Sequence, residues 1–85
     1  ATAKIGDLAL YDVYRRVART LRSLAAVERV GDAESYRVVD RPTHQELANM
    51  AGTSREMVTR ALKGLEEDGC ITIEGNSILI RKMPL

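Results

Sequence analysis

Two arginines and one glutamate, spaced to share one face of a helix, carry the most specific chemistry in the sequence. At about 100° per residue, Arg55, Glu56 and Arg60 fall on the same side of a helix that covers residues 54–67. A guanidinium can form a two-pronged hydrogen bond with guanine, and a carboxylate can accept a hydrogen bond from cytosine N4. We therefore predict that these three side chains contact bases in the major groove of double-stranded DNA.

The other side of the same helix is apolar and suits packing against a core. Its residues are Met57, Val58, Ala61, Leu62 and Leu65. Thr59 and Lys63 lie on the polar side. An ordinary amphipathic surface helix, with Glu56 and Arg60 as an i,i+4 ion pair, would have the same pattern. The helical wheel alone therefore leaves both interpretations open.

Hydroxyl, amide and basic side chains at the starts of two helices, and further along the polar side of the second helix, form a second predicted set, which contacts DNA phosphates. Its members are Thr43, His44, Gln45, Thr53, Ser54, Thr59 and Lys63. Free backbone amides and hydroxyls at a helix N-terminus bind anions. For each threonine and serine the alternative role is helix capping alone. The two roles are compatible, because a capping hydroxyl keeps a proton or a lone pair free.

A short helix and a sharp break precede the base-contacting helix. Thr43 and Glu46 form a capping box, and the helix that follows runs to about Met50. Residues 51–53 form the break, in which Gly52 suits a left-handed helix exit. Two helices separated by three residues are typical of a helix-turn-helix, and this lowers the weight of the amphipathic-surface alternative.

The second helix has its own predicted start and stop. Thr53 and Glu56 form a second capping box, which places the N-cap at Thr53. The helix then runs to about Asp68, and Gly69 ends it.

An arginine-rich helix is predicted upstream, over residues 12–26, with Asp12 as its N-cap. Its apolar side includes Val13, Val17, Thr20, Leu21 and Leu24, and its polar side Arg15, Arg16, Arg19, Arg22 and Ser23. The arginine face is either solvated or makes peripheral contacts with phosphate or protein.

Short β-strands complete the predicted fold. Residues 28–35 are polar and contain a turn, and residues 36–39 read as a strand. Strands over 71–73 and 78–80 are joined by a tight turn. The fold class is therefore mainly α with a small antiparallel β-sheet. We expect a winged helix-turn-helix of three helices plus a C-terminal β-hairpin wing.

The chain length allows one domain, which we assign to residues 12–83. Residues 1–11 are expected to be the end of an earlier helix and a hinge. Because the sequence begins with Ala rather than Met, we expect a fragment of a longer protein.

Composition argues against several function classes. Cys70 is the one cysteine and His44 the one histidine, so the chain predicts neither an internal disulfide nor a zinc site. There is no nucleophile beside a base, which predicts no catalytic residues and no enzyme. No apolar run suits a membrane span. These features suggest a cytoplasmic protein.

The net charge of +1 hides basic segments at 1–22 and 41–63 and an acidic segment at 64–74.

Two stretches of the sequence resemble the CRP/FNR family of bacterial transcription regulators. They are THQELANMAGTSREMVTRALK, residues 43–63, and DVYRRVA, residues 12–18. The resemblance covers about residues 8–82, and the Ser-Arg-Glu-x-Val-x-Arg core at 54–60 is far more specific than a generic helix-turn-helix.

The resemblance implies binding to a TGTGA-like half-site. By that likeness Arg55, Glu56 and Arg60 read bases, and four residues contact phosphates: Thr43, Gln45, Ser54 and Lys63. Glu74 and Asn76 at the hairpin tip depart from a phosphate-binding wing, which would be basic or neutral there.

The resemblance also implies partners beyond DNA. The family acts as a homodimer on two-fold symmetric sites, and its dimerisation helix would end near residues 1–9. An N-terminal sensor domain, often for a cyclic nucleotide, would precede residue 1, so no cofactor is expected in this fragment itself. Residues 31–37 resemble a region that touches RNA polymerase in activators.

A winged helix used only for protein–protein contact is the alternative function. Such a module keeps the fold but does not need Arg55, Glu56 and Arg60 on one face. DNA binding is therefore the preferred hypothesis.

Overall fold

Three helices and four strands make up the computed structural model, which describes residues 8–84 apart from the side chain of Val30. The helices are α1 (Leu8–Leu24), α2 (His44–Ala51) and α3 (Arg55–Glu67), and the strands are β1 (Ala26–Val30), β2 (Ala33–Val38), β3 (Ile71–Glu74) and β4 (Ser77–Ile80). The strands form one antiparallel sheet in the order β1-β2-β4-β3. The predicted winged helix-turn-helix with a C-terminal hairpin is confirmed. No helix within residues 8–84 is long and apolar enough to cross a membrane.

The polar segment 28–35 contains the predicted turn at residues 31–32, and this turn joins the strands of a hairpin whose first strand was not predicted. β1 pairs with β2 from Ala26↔Arg37 to Val30↔Ala33, and Gly31 at the turn has a φ of 62°. The sequence pattern missed β1 because apolar and charged residues do not alternate over 26–29: Ala26 and Val27 are adjacent and exposed, and Glu28 and Arg29 follow them. β1 is held by pairing with β2, whose other edge pairs with β4.

The prediction that Asp12 caps α1 is wrong, because α1 includes Asp12. The Asp12 carboxylate forms an i,i+4 ion pair with Arg16, 3.0 Å from Nε to Oδ2. Residues 1–7 lie outside the described residues, so the division into segments 1–11 and 12–83 stays a prediction. Leu24, predicted on the apolar side of α1, is 42% exposed.

Apolar side chains from all three helices and the hairpin meet in one core. The largest fully buried ones are Leu21, Leu47, Leu65, Ile78, Val17 and Val58. Burying a side chain of this kind stabilises the fold by about 1.5–3 kcal/mol. The small residues Ala48 and Cys70 are also buried. The core thus holds α3 against α1 and α2 and leaves one face of α3 outside.

Candidate nucleic-acid interface

The start of α2 is fixed by the capping box that the sequence predicts. Thr43 Oγ1 accepts from the Glu46 backbone N at 3.0 Å, and Glu46 Oε1 accepts from the Thr43 backbone N at 2.8 Å. Thr43 and Gln45 are exposed beside the remaining amides of the helix start. Both lie where a phosphate could bind.

The break between α2 and α3 is closed by backbone and side-chain hydrogen bonds. Gly52 adopts the left-handed conformation that the sequence predicts, with φ 71° and ψ 45°. Thr53 N donates to Ala48 O at 2.9 Å. Arg16 Nη1 of α1 donates to Ala51 O at 2.8 Å. Arg16 was predicted on the polar, arginine-rich face of α1, and periodicity gave no signal for its contact with the turn.

The cap of α3 lies one residue later than predicted. Ser54 is the N-cap, with extended φ and ψ, and its Oγ accepts from Met57 N at 3.2 Å. The Thr53 N-cap prediction is wrong because the first backbone hydrogen bond of α3 runs from Val58 N to Ser54 O, and Thr53 N instead closes the end of α2. Ser54 is exposed and Thr53 is half-buried, so the Ser54 hydroxyl is the more accessible of the two.

The two faces of α3 separate as the helical wheel predicts. Val58, Ala61, Leu62 and Leu65 are buried, and Met57 is half-buried. The outer face carries the exposed side chains Arg55, Glu56, Thr59, Arg60 and Lys63. All three predicted base contacts are therefore on one accessible face of a helix whose other face is anchored in the core.

Arg55 and Glu56 form only a loose ion pair. Arg55 Nη2 lies 3.9 Å from Glu56 Oε2, and the side chains are 65% and 75% exposed. An exposed pair of this kind contributes about 0–1 kcal/mol. Either side chain can therefore leave this ion pair and contact a base edge at little cost in free energy.

A hydrogen bond between His44 and Thr59 joins the two helices on the outer side. His44 Nδ1 lies 2.8 Å from Thr59 Oγ1, and Thr59 Oγ1 donates to Arg55 O at 3.1 Å. When Thr59 uses its one proton in this way, it accepts from Nδ1–H of His44. His44 is half-buried in this arrangement, while Lys63 is exposed one turn further along α3.

The far end of α3 is held by a contact that sequence reasoning missed. The Tyr14 hydroxyl donates to Asp68 Oδ2, and it lies 3.6 Å from Cys70 Sγ. Burial is the main cause that raises the pKa of Tyr14, and the hydrogen bonds with Asp68 and Cys70 raise it further. The phenol thus stays protonated and anchors the C-cap of α3 to α1.

The wing is tied to the rest of the sheet by Arg37 of β2. Its Nη1 donates to Glu74 Oε1 at 2.6 Å and to Ser77 Oγ at 2.9 Å, and its Nε lies 3.3 Å from Glu28 Oε2. The hydrogen bond with Glu74, with the nearby Glu28 carboxylate, raises the pKa of Arg37. Glu74, which the sequence marked as unfavourable for a phosphate-binding wing, is therefore neutralised by a cation.

The wing tip also reaches the segment that leads into α2. Arg41 N donates to Asn76 O at 2.9 Å, which sets the hairpin turn next to the start of the helix-turn-helix. Within residues 8–84, no group of three or more His, Cys, Asp and Glu side chains could hold a metal ion.

The sequence matches a known domain family and several curated proteins. The profile of the Crp-like helix-turn-helix domain matches residues 15–85. The chain is 40% identical over 80 residues to the cAMP-activated global transcriptional regulator Vfr of Pseudomonas aeruginosa, covering 93% of this chain and 36% of that protein. It is 41% identical over 78 residues to a CRP-like cAMP-activated global transcriptional regulator of Mycobacterium tuberculosis, covering 89% and 34%. The chain thus spans about a third of the length of these curated relatives.

Solved structures share the fold. The reduced CO-sensing protein from R. rubrum superposes with a TM-score of 0.73 and 28% identity, covering 88% of this chain and 35% of that one. The catabolite activator protein of Thermus thermophilus gives a TM-score of 0.64 and 29% identity, covering 88% and 32%. In each case the superposition covers about a third of the longer solved chain.

Proposed function

The chain belongs to the family of Crp-like helix-turn-helix domains, whose matched relatives are transcription regulators and not enzymes, and we propose that it binds double-stranded DNA with sequence specificity as the output domain of such a regulator. The observation that carries the proposal is the outer face of α3. Arg55, Glu56 and Arg60 are exposed together there, while the opposite face is buried. A pure protein–protein module has no need for this set of base-reading groups.

The proposed binding mode places α3 in the major groove of a TGTGA-like half-site. The base contacts are Arg55, Glu56 and Arg60, and the phosphate contacts are Thr43, His44, Gln45, Thr53, Ser54, Thr59 and Lys63. Exposure of Thr43, Gln45 and Ser54 at two helix N-termini supports the phosphate set. The half-buried Thr53 and His44 are its less accessible members.

The proposed whole protein is a homodimer on a two-fold symmetric DNA site, with an N-terminal sensor domain for a cyclic nucleotide. Two relatives of about three times this length are named as cAMP-activated, which supports the sensor. Where the regulator activates, the hairpin β1–β2, which includes residues 31–37, is the proposed contact with RNA polymerase.

Selection from a pool of random duplexes tests the proposed function. The chain should enrich TGTGA-like sequences over several rounds, and a variant with Arg55, Glu56 and Arg60 all changed to Ala should enrich none. Circular dichroism of that variant checks that the exposed substitutions leave the fold intact. If the unchanged chain enriched no sequence, the DNA-reading proposal would fail and the protein–protein alternative would gain.

A further inference from the structure

The C-terminal end of α2 has backbone carbonyls that need partners. A helix leaves its last carbonyl groups without intrahelical donors, and these carry a partial negative charge. α2 is eight residues long and has no basic residue in its last turn. A cation from another element is therefore the natural partner for this end.

Arg16 of α1 supplies that cation. Its Nη1 donates to Ala51 O at 2.8 Å and to Gly52 O at 3.4 Å. The Asp12 carboxylate forms an ion pair with the same guanidinium, 3.0 Å from Nε to Oδ2, without the alignment of a hydrogen bond. The Arg16 side chain is half-buried, whereas those of Arg15 and Arg19 are exposed.

The carbonyls that Arg16 holds stand directly before the residues that start α3. Thr53 and Ser54 follow Gly52, and the base-reading Arg55 follows them. A change in the turn therefore moves the first residues of α3 relative to the body of the domain. A displacement of about 1 Å is enough to lose a well-aligned polar contact.

We propose that Arg16 is a positioning residue for DNA reading: it fixes the turn between α2 and α3 through Ala51 and Gly52, and it does not itself contact phosphate. The inference rests on the proposed function, because it concerns the residues that read bases. It also makes α1 the element that sets where α3 begins.

Three variants separate positioning from simple charge. Arg16→Met removes the guanidinium and keeps the stem, and Arg16→Lys keeps the charge but loses the fork that reaches both Asp12 and Ala51. Arg15→Met is the matched control, since it removes the same charge from the neighbouring exposed position. Each is titrated against a duplex with two symmetric TGTGA half-sites and against a scrambled duplex over a range of salt. Backbone amide exchange of Thr53, whose N–H donates to Ala48 O, is measured by NMR without DNA.

Arg16→Met should lower the ratio of specific to scrambled binding by roughly tenfold, the effect of losing a charge-assisted hydrogen bond, with an unchanged salt slope. Arg16→Lys should fall between wild type and Met, and both should speed Thr53 exchange. Arg15→Met should keep the ratio and the exchange rate.

If Arg16→Met weakened both duplexes equally and lowered the salt slope by about 1, Arg16 would be a phosphate contact and the proposal would be overturned. Wild-type Thr53 exchange in Arg16→Lys would also overturn it. A wild-type chain without preference for the TGTGA duplex would instead count against the proposed function, and amide exchange would still decide whether Arg16 holds the turn.

Discussion

Tyr14 and Asp68, 54 positions apart in the sequence, are joined by a 2.5 Å hydrogen bond from phenol to carboxylate. Tyr14 lies in the middle of α1, and Asp68 is the C-cap of α3. Arg16, two residues later on α1, contacts the turn before α3. α1 therefore holds α3 at both ends, and the exposed face of α3 is set by contacts on its hidden side.

Replacing Tyr14 by Phe should change how stability depends on pH. In the unfolded chain Tyr14 has the ordinary tyrosine pKa of about 10. In the folded protein, burial raises the pKa of Tyr14 above that value. Above about pH 10 the unfolded state binds fewer protons than the folded state, so the free energy of unfolding falls as pH rises. Tyr14→Phe should lack this fall, and near neutral pH it should be about 1 kcal/mol less stable because Asp68 loses a donor.

Urea unfolding of both proteins between about pH 7 and pH 11 measures these differences. Tyr11 and Tyr36 are present in both proteins, so their ionisation cancels in the comparison. Parallel stability curves above pH 10 would show that Tyr14 does not titrate differently in the fold.

Local patterns in the sequence predicted the parts of the site that a single element determines. The two faces of α3 and the left-handed Gly52 follow from helix periodicity and glycine chemistry. The contacts of Arg16 and Tyr14 do not, because they span 35 and 54 positions and depend on how α1 crosses the helix-turn-helix. β1 was missed for a different reason, since it is the edge strand of the sheet and its residues 26–29 show no apolar alternation to detect.

Gly52→Ala should destabilise the domain. The φ of 71° at Gly52 costs an L-residue roughly 1–2 kcal/mol, and an added Cβ would lie 3.3 Å from Arg16 Nη1. Reduced freedom of the unfolded chain returns about 0.4–1 kcal/mol, so a net loss of about 1 kcal/mol is expected in urea unfolding. Gly31→Ala is the control for backbone strain alone. Gly31 also has a positive φ, 62°, but the described residues leave open space around an added Cβ there. If Gly52→Ala were as stable as wild type, the turn would not need its present geometry.

Arg37→Met should weaken DNA binding through the wing. The substitution leaves the Glu74 carboxylate without its 2.6 Å partner. A negative charge is then uncovered on the wing, whose turn is hydrogen-bonded to the segment before α2, the helix whose start is proposed to contact phosphate. Affinity for specific and scrambled duplexes should fall together, most strongly at low salt. Adding Glu74→Gln to Arg37→Met should restore much of the loss. A double variant as weak as the single one would place the effect of Arg37 in the fold of the sheet rather than in the charge of the wing.

Lys63→Ala should weaken binding to every duplex by a similar factor. Lys63 is exposed on the outer face of α3 and is proposed to contact a phosphate. Its loss should lower the salt slope of binding by about 1. Arg29→Ala, on β1 and paired with Glu34 at 2.9 Å, removes the same charge at a distance and should leave the slope unchanged. A loss confined to the TGTGA duplex would argue against a phosphate role for Lys63.

Arg55 offers the sharpest test of base reading, because charge and geometry can be separated there. Arg55→Ala should cost roughly 1–3 kcal/mol on the specific duplex and relax preference at one base position. Arg55→Lys keeps the charge but cannot form the two-pronged bond to guanine. It should therefore keep the salt slope and affinity for scrambled DNA while losing the same base preference. Since Arg55 is 65% exposed and only loosely paired with Glu56, neither variant should change stability by more than about 0.5 kcal/mol. An Arg55→Lys protein that selected the same sequence from random duplexes as wild type would move base reading away from Arg55.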